Sequence, residues 1–157
     1  MGKTLWKGSG VEAVYQLTDA NKDFIGSALY GEVIMNDRDL ELEGKILLQK
    51  NFGPLMLVYN GVIEAHWEDH YENKVGVLEQ TLGLSYQLLP SFSVGLEAKQ
   101  EVAFEEWRHS GGNAVFVGPN VSFRKGGFFA AVAGLFRMSD VHGEPQVELS
   151  TIIGFHF

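Results

Sequence analysis

The chain has 157 residues, of which 45% are hydrophobic, 12% aromatic and 20% charged, a composition that builds a packed core and excludes a disordered polymer. A net charge of −8 without any basic run argues against a nucleic-acid partner, and the absence of cysteine removes disulfides, thiolate metal sites and cysteine nucleophiles together. No apolar run reaches the roughly 18 residues of a transmembrane helix, so any membrane crossing must use strands.

Residues 1–10, MGKTLWKGSG, hold neither the apolar stretch nor the small-residue cleavage site of a secretory signal. From there two-residue alternation dominates, which sends alternate side chains to opposite faces of a sheet. Residues 11–17 and 24–34 are strand-like with weak contrast between faces. In 40–49, Leu42, Gly44, Ile46 and Leu48 alternate with Glu41, Glu43, Lys45 and Gln49. In 54–67, Leu55, Leu57, Tyr59, Ile63, Ala65 and Trp67 face away from Asn60, Glu64 and His66. In 76–88, Leu78, Leu82, Leu84, Tyr86 and Leu88 oppose Glu79, Thr81, Gly83, Ser85 and Gln87. Residues 91–104 set Phe92, Val94, Leu96 and Ala98 against Ser93, Gly95, Glu97, Lys99 and Glu101. Residues 114–124 set Val115, Val117, Val121 and Phe123 against Asn120, Ser122 and Arg124, and 128–138 is again strand-like. The last segment, 146–157, places Val147, Leu149, Thr151, Ile153, Phe155 and Phe157 on one face and Glu148, Ser150, Ile152, Gly154 and His156 on the other.

These are about nine strands, several longer than the about 5–6 residues usual in soluble proteins and matching the about 9–11 of a tilted membrane strand. Tight turns fall near 51–53, at Pro90 and at 125–127, while longer polar loops fall at 68–74, 105–112 and 139–145. Short turns on one rim and longer loops on the other predict an all-β, antiparallel, up-and-down transmembrane barrel, with the chain supplying all or part of it. Tyr30, Tyr59, Trp67, Tyr86, Phe92, Phe123, Phe128, Phe155 and Phe157 are expected at interfacial girdles. A soluble ligand-binding barrel gives the same alternation with inside and outside exchanged. Against it stands a polar face rich in Gly and Ser, a thin coat for a water-facing exterior.

The ending STIIGFHF, apolar at every second position up to Phe157, resembles the C-terminal signal of outer-membrane proteins. That resemblance implies recognition by the barrel-assembly machinery through Phe155 and Phe157. In that class a glycine often stands five residues before the last aromatic, where this chain has Ile152. Over most of the chain the segments YQLTD, LEGKILLQKNFG, GLSYQLLPSFSVGLEAKQE and VGPNVSFRKGGFF resemble an uncharacterised family of Gram-negative outer-membrane barrels. These are similar to transporters of the phenol-degradation "MetA pathway" type. The resemblance implies an outer-membrane location and lipid contacts, and it supplies no catalytic residues. Members generally carry a signal peptide and further N-terminal strands, so residues 1–157 are expected to be a single domain forming the C-terminal part of such a barrel.

With the apolar faces toward lipid, Glu41, Glu43, Lys45, Glu64, His66, Glu79, Glu97, Lys99, Glu101, Arg124, Arg137 and Glu148 are expected to line the lumen. Glutamates outnumber cations there, which predicts a channel passing small solutes and favouring cations. Lys45 and Lys99 are each flanked by same-face glutamates, which suits the alternative of a non-conducting structural or surface-interaction barrel whose charges pair off. His66, Glu68 and His70 share a face if their strand continues, with Asp69 and Glu72 adding oxygens, but a solvated acidic loop explains the same residues. His109 and Ser110 are adjacent and would point apart in a strand, unlike the same-face His and Ser of outer-membrane lipid hydrolases, so no enzyme is expected. Gly118–Pro119 and 125–127 are expected to be turn and bend devices. No cofactor is implied.

Overall fold

The fold comes from a computed structural model, which describes residues 8–70, 72–141 and 144–156. Among these, ten strands form one antiparallel sheet: β1 (Ser9–Thr18), β2 (Gly26–Met35), β3 (Leu40–Phe52), β4 (Leu55–Glu68), β5 (Asn73–Leu89), β6 (Phe92–Glu105), β7 (His109–Ser110), β8 (Ala114–Lys125), β9 (Phe128–Arg137) and β10 (Val147–Phe155). The path is a meander, β1-β2-β3-β4-β5-β6-β8-β9-β10, with the two-residue β7 paired to β6. The sheet curls into an open half-barrel, and no pairing among the described residues joins β10 to β1. Nine alternating strands on the path leave β1 and β10 pointing the same way.

Register carries the sequence alternation across the whole sheet. Val11, Val33, Leu42 and Ala65 lie in one cross-strand row, and Tyr86, Val94, Val121, Val132 and Thr151 in another. This apolar face is convex and open to its surroundings: Ile46 is 53% exposed and Leu82 48%. Among its described strand residues the charged ones are Lys50, Lys74 and Lys125, each near a strand end. Lys50 donates to the Phe24 carbonyl and lies 4.0 Å from the Phe24 ring centre, its stem running along apolar surface to a polar end. The opposite face is concave, and its long charged side chains are the more hidden ones, the Lys99 side chain being only 14% exposed. Side chains on the inside of a curved sheet converge and cover one another, whereas those outside splay apart.

The inside-outside question that alternation leaves open is thereby answered for this sheet: polar within, apolar without. A small apolar core does exist, on the concave side of β8 and β9, where Ala114, Phe116, Ala133 and Leu135 are buried. It fills the space below the charged groups instead of forming a general interior.

Tight connections join β3–β4 at Gly53–Pro54, β5–β6 at Pro90–Ser91 and β8–β9 at Gly126–Gly127, as expected. Gly53 and Gly126 both take φ of +60°, where a side chain is strained. The contrast between rims is weaker than the sequence suggests. The β1–β2 connection on the short-turn rim spans residues 19–25 and is braced by Asp19, whose carboxylate accepts the Asn21 amide at 2.9 Å. That hydrogen bond holds the Asp19 carboxyl below its ordinary range. On the other rim Asn36–Asp39 closes tightly, the Asn36 side-chain oxygen accepting the Arg38 and Asp39 amides.

Gly118–Pro119 does not turn or end the chain; it lies inside β8. Proline has no amide to donate, and the β8–β9 ladder skips positions 118 and 119. At Gly118 a Cβ would collide with the Gly134 carbonyl, so the two backbones approach as only glycine permits.

Aromatic side chains gather at both rims of the convex face. At the short-turn rim Phe92 pairs with Phe123, whose ring centre is 6.3 Å from Phe128, itself 5.5 Å from Phe155 in an edge-on contact. Toward the loop rim Trp67 stands one residue before the end of β4 on the same face, and the Trp107 indole lies over Gly76, within 2.7 Å of where a Cβ would stand. Two expected girdle members belong elsewhere. Tyr30 points into the concave face and donates to Glu32, and Tyr59 sits within β4 bonded to Gln80 on β5. Phe157 lies outside the described residues.

Candidate functional site

The concave face holds the sequence-expected lining residues in three charge clusters. Cross-strand pairing puts Glu12 beside Glu32, Glu32 beside Glu43 and Glu43 beside Glu64. In the first cluster Lys45 contacts Glu43 and lies 4.6 Å from the Tyr30 ring centre. The Tyr30 hydroxyl faces Glu32 at 2.6 Å and Glu12 at 2.8 Å. Adjacent carboxylates are thus separated by a phenol and an ammonium.

Lys99 on β6 is the hub of the second cluster. Its ammonium lies 2.7 Å from Glu148, 2.9 Å from Glu101 and 3.7 Å from Glu79, and 5.0 Å from the Phe116 ring centre. One cation shared by three carboxylates leaves a net negative charge above the buried Phe116.

The third cluster is at the loop end. His66 lies with Nε2 2.9 Å from Glu64 and Nδ1 3.6 Å from Glu41. Glu64 and His66 share a face of β4 two residues apart, and Glu41 is the cross-strand partner of His66 on β3. The grouping of His66 with Glu68 and His70, which required the strand to continue, does not form; Glu68, Asp69, His70 and Glu72 are exposed, as the solvated acidic loop has it. β4 stops at Glu68, and Asp69 and His70 turn through positive φ, so the strand that would have aligned them ends. Hydrogen bonds hold that turn in place, the Asp69 amide donating to the Asp39 carboxylate and the His70 amide to the Arg38 carbonyl. Glu41 was legible as a partner: it and His66 stand equally far from the Gly53–Pro54 turn, which sets the register.

The remaining residues are less central. Glu97 is part-exposed and pairs in register with Gly83 and Gly118, which carry no side chain to meet it. Arg124 is exposed near the short-turn rim. Arg137 ends β9 and donates to the carbonyls of Val141 and Glu144, so it anchors the β9–β10 loop. His109 and Ser110 form β7, both exposed, where successive side chains point apart.

Neutral polar contacts lie beside Lys99 and toward the short-turn rim, Asn60 to Thr81 at 2.8 Å and Ser85 to Asn120 at 3.4 Å. The face as a whole is a curved, acidic, hydrogen-bonding trough backed by an apolar exterior. Such a surface attracts cations and hydrated polar solutes and repels anions.

Comparison with curated proteins and with solved structures finds no match. Residues 3–148 match a family described as a family of unknown function (DUF6662), and the chain belongs to that family.

Proposed function

We propose that this half-barrel is part of a bacterial outer-membrane β-barrel that passes small, preferentially cationic or neutral polar solutes along its acidic concave face. The observation that carries this reading is the inverted polarity of the sheet, with Leu, Val and Phe exposed on the convex side and Glu and Lys sheltered on the concave side. An exterior of that kind suits hydrocarbon. The aromatic rows support it in scale. From Tyr86 to Gly76 on β5, at about 3.3 Å per residue and a typical tilt of about 40°, the rise is about 25 Å, the height of a lipid-facing band. The resemblance to outer-membrane transporters of the phenol-degradation type agrees and belongs to the same proposal.

A closed antiparallel barrel containing this sheet requires an odd number of further strands between β10 and β1, since those edges point the same way. One observation favours the non-conducting alternative: Lys99 gathers Glu79, Glu101 and Glu148 from different strands across the trough. Planar-bilayer recording with the protein folded into lipid separates the two. Steps of conductance with a reversal potential favouring K⁺ over Cl⁻ are expected. Insertion without conductance would leave the structural barrel, and failure to partition into lipid vesicles would sink the membrane reading itself.

A further inference from the structure

We infer that Glu41, Glu64 and His66 form a binding site for a divalent transition-metal ion of the zinc type at the loop end of the concave face. One ligand atom from each residue lies within 4.8 Å of the others. An ion held at about 2.0–2.2 Å from each would draw them closer, to tetrahedral spacing. The backbone geometry is fixed by two adjacent strands, with Glu64 and His66 on one and Glu41 paired across on the other. All three side chains are part-buried, at 21–30% exposure, so the ligands start partly desolvated.

Charge gives an independent reason. Glu79, Glu101 and Glu148 share Lys99, and Glu43 has Lys45, but among the described ion pairs Glu41 and Glu64 have His66 alone. A protonated imidazole balances one of the two carboxylates. A divalent ion bound to neutral imidazole balances both. One nitrogen and two carboxylate oxygens select zinc-type ions over Mg²⁺ and Ca²⁺, which prefer all-oxygen shells, and three protein ligands leave a position for water or a solute. Access is provided by a cleft of about 740 Å³ that includes Glu41 and His66 and is lined by Asp37, Asp39, Glu68 and Asp69, which outnumber the single cation Arg38 among its lining residues. These acidic groups raise the local cation concentration at its mouth. Metal binding at these three residues does not depend on whether the barrel conducts.

The test is isothermal titration of Zn²⁺ alone into the tag-free, full chain folded in detergent, with Mg²⁺ as the comparison ion. One zinc per chain is expected, with no Mg²⁺ heat at equal concentration. His66→Ala and Glu64→Gln should each weaken zinc binding about tenfold or more, while His70→Ala leaves it unchanged. Circular dichroism of each metal-free variant checks that its strand content is kept, and Glu41→Gln serves if either of the others misfolds. Absence of zinc binding to the unsubstituted chain, or folded variants at His66 and Glu64 that bind zinc as before, would overturn the site.

Discussion

Lys99 on β6 and Glu148 on β10 form an ion pair of 2.7 Å although β8 and β9 lie between their strands. Three strand spacings in a flat sheet span about 14 Å. Curvature toward the concave face is what lets the two side chains meet, so the pair ties the sheet's bend to its electrostatics.

Lys99→Met should therefore loosen the β6–β10 region. It strands Glu79, Glu101 and Glu148, each about a quarter exposed, beside one another. The expected loss is about 2–3 kcal/mol, below the roughly 3–5 kcal/mol of a fully buried broken pair because water reaches these groups. Urea titration of the folded protein in detergent measures it, and adding Glu148→Gln should restore part of the loss. Unchanged stability in Lys99→Met would show that the cluster is merely solvated.

Gly118 and Gly134 make a matched pair for backbone packing. Gly118→Ala drives a methyl into the Gly134 carbonyl and should cost about 2–4 kcal/mol through forced separation of β8 and β9. Gly134→Ala meets nothing within 4 Å and should stay within about 1 kcal/mol of the unsubstituted chain. Equal effects in the same urea titration would contradict the close approach.

Leu82→Arg distinguishes a lipid-facing exterior from a watery one. At 48% exposure on the convex face, an arginine in water should change stability by no more than about 0.5 kcal/mol. In a bilayer the same substitution near mid-depth should cost about 2–4 kcal/mol. Folding equilibria in phospholipid vesicles supply the measurement, and Lys50→Arg near the rim is the control expected to be neutral. A neutral Leu82→Arg in vesicles would place this face outside the hydrocarbon.

Strand type and face were legible because a period of two admits one arrangement of side chains. Leu42 and Ile46 had to share a side, and Glu43 and Lys45 the other, whatever the sheet did next. Turn chemistry at Gly53–Pro54 and Gly126–Gly127 then set local register, and with it the neighbours Glu41 and His66. Tyr30 was misplaced because aromatic character alone does not reveal which face a ring occupies. His70 parts from His66, as a solvated loop would have it, because the Asp69 and His70 turn does not keep the extended backbone that sharing a face requires. Gly118–Pro119 carries turn composition, yet neighbouring strands on both sides hold it extended.

The sequence by itself thus determined an all-β meander with one polar and one apolar face, since both follow from neighbours along the chain or across a tight turn. Only the tertiary structure decided which face is concave, how far the sheet curls, and that Lys99 meets Glu148. Curvature sums small twists over many strands, and no local pattern encodes that sum.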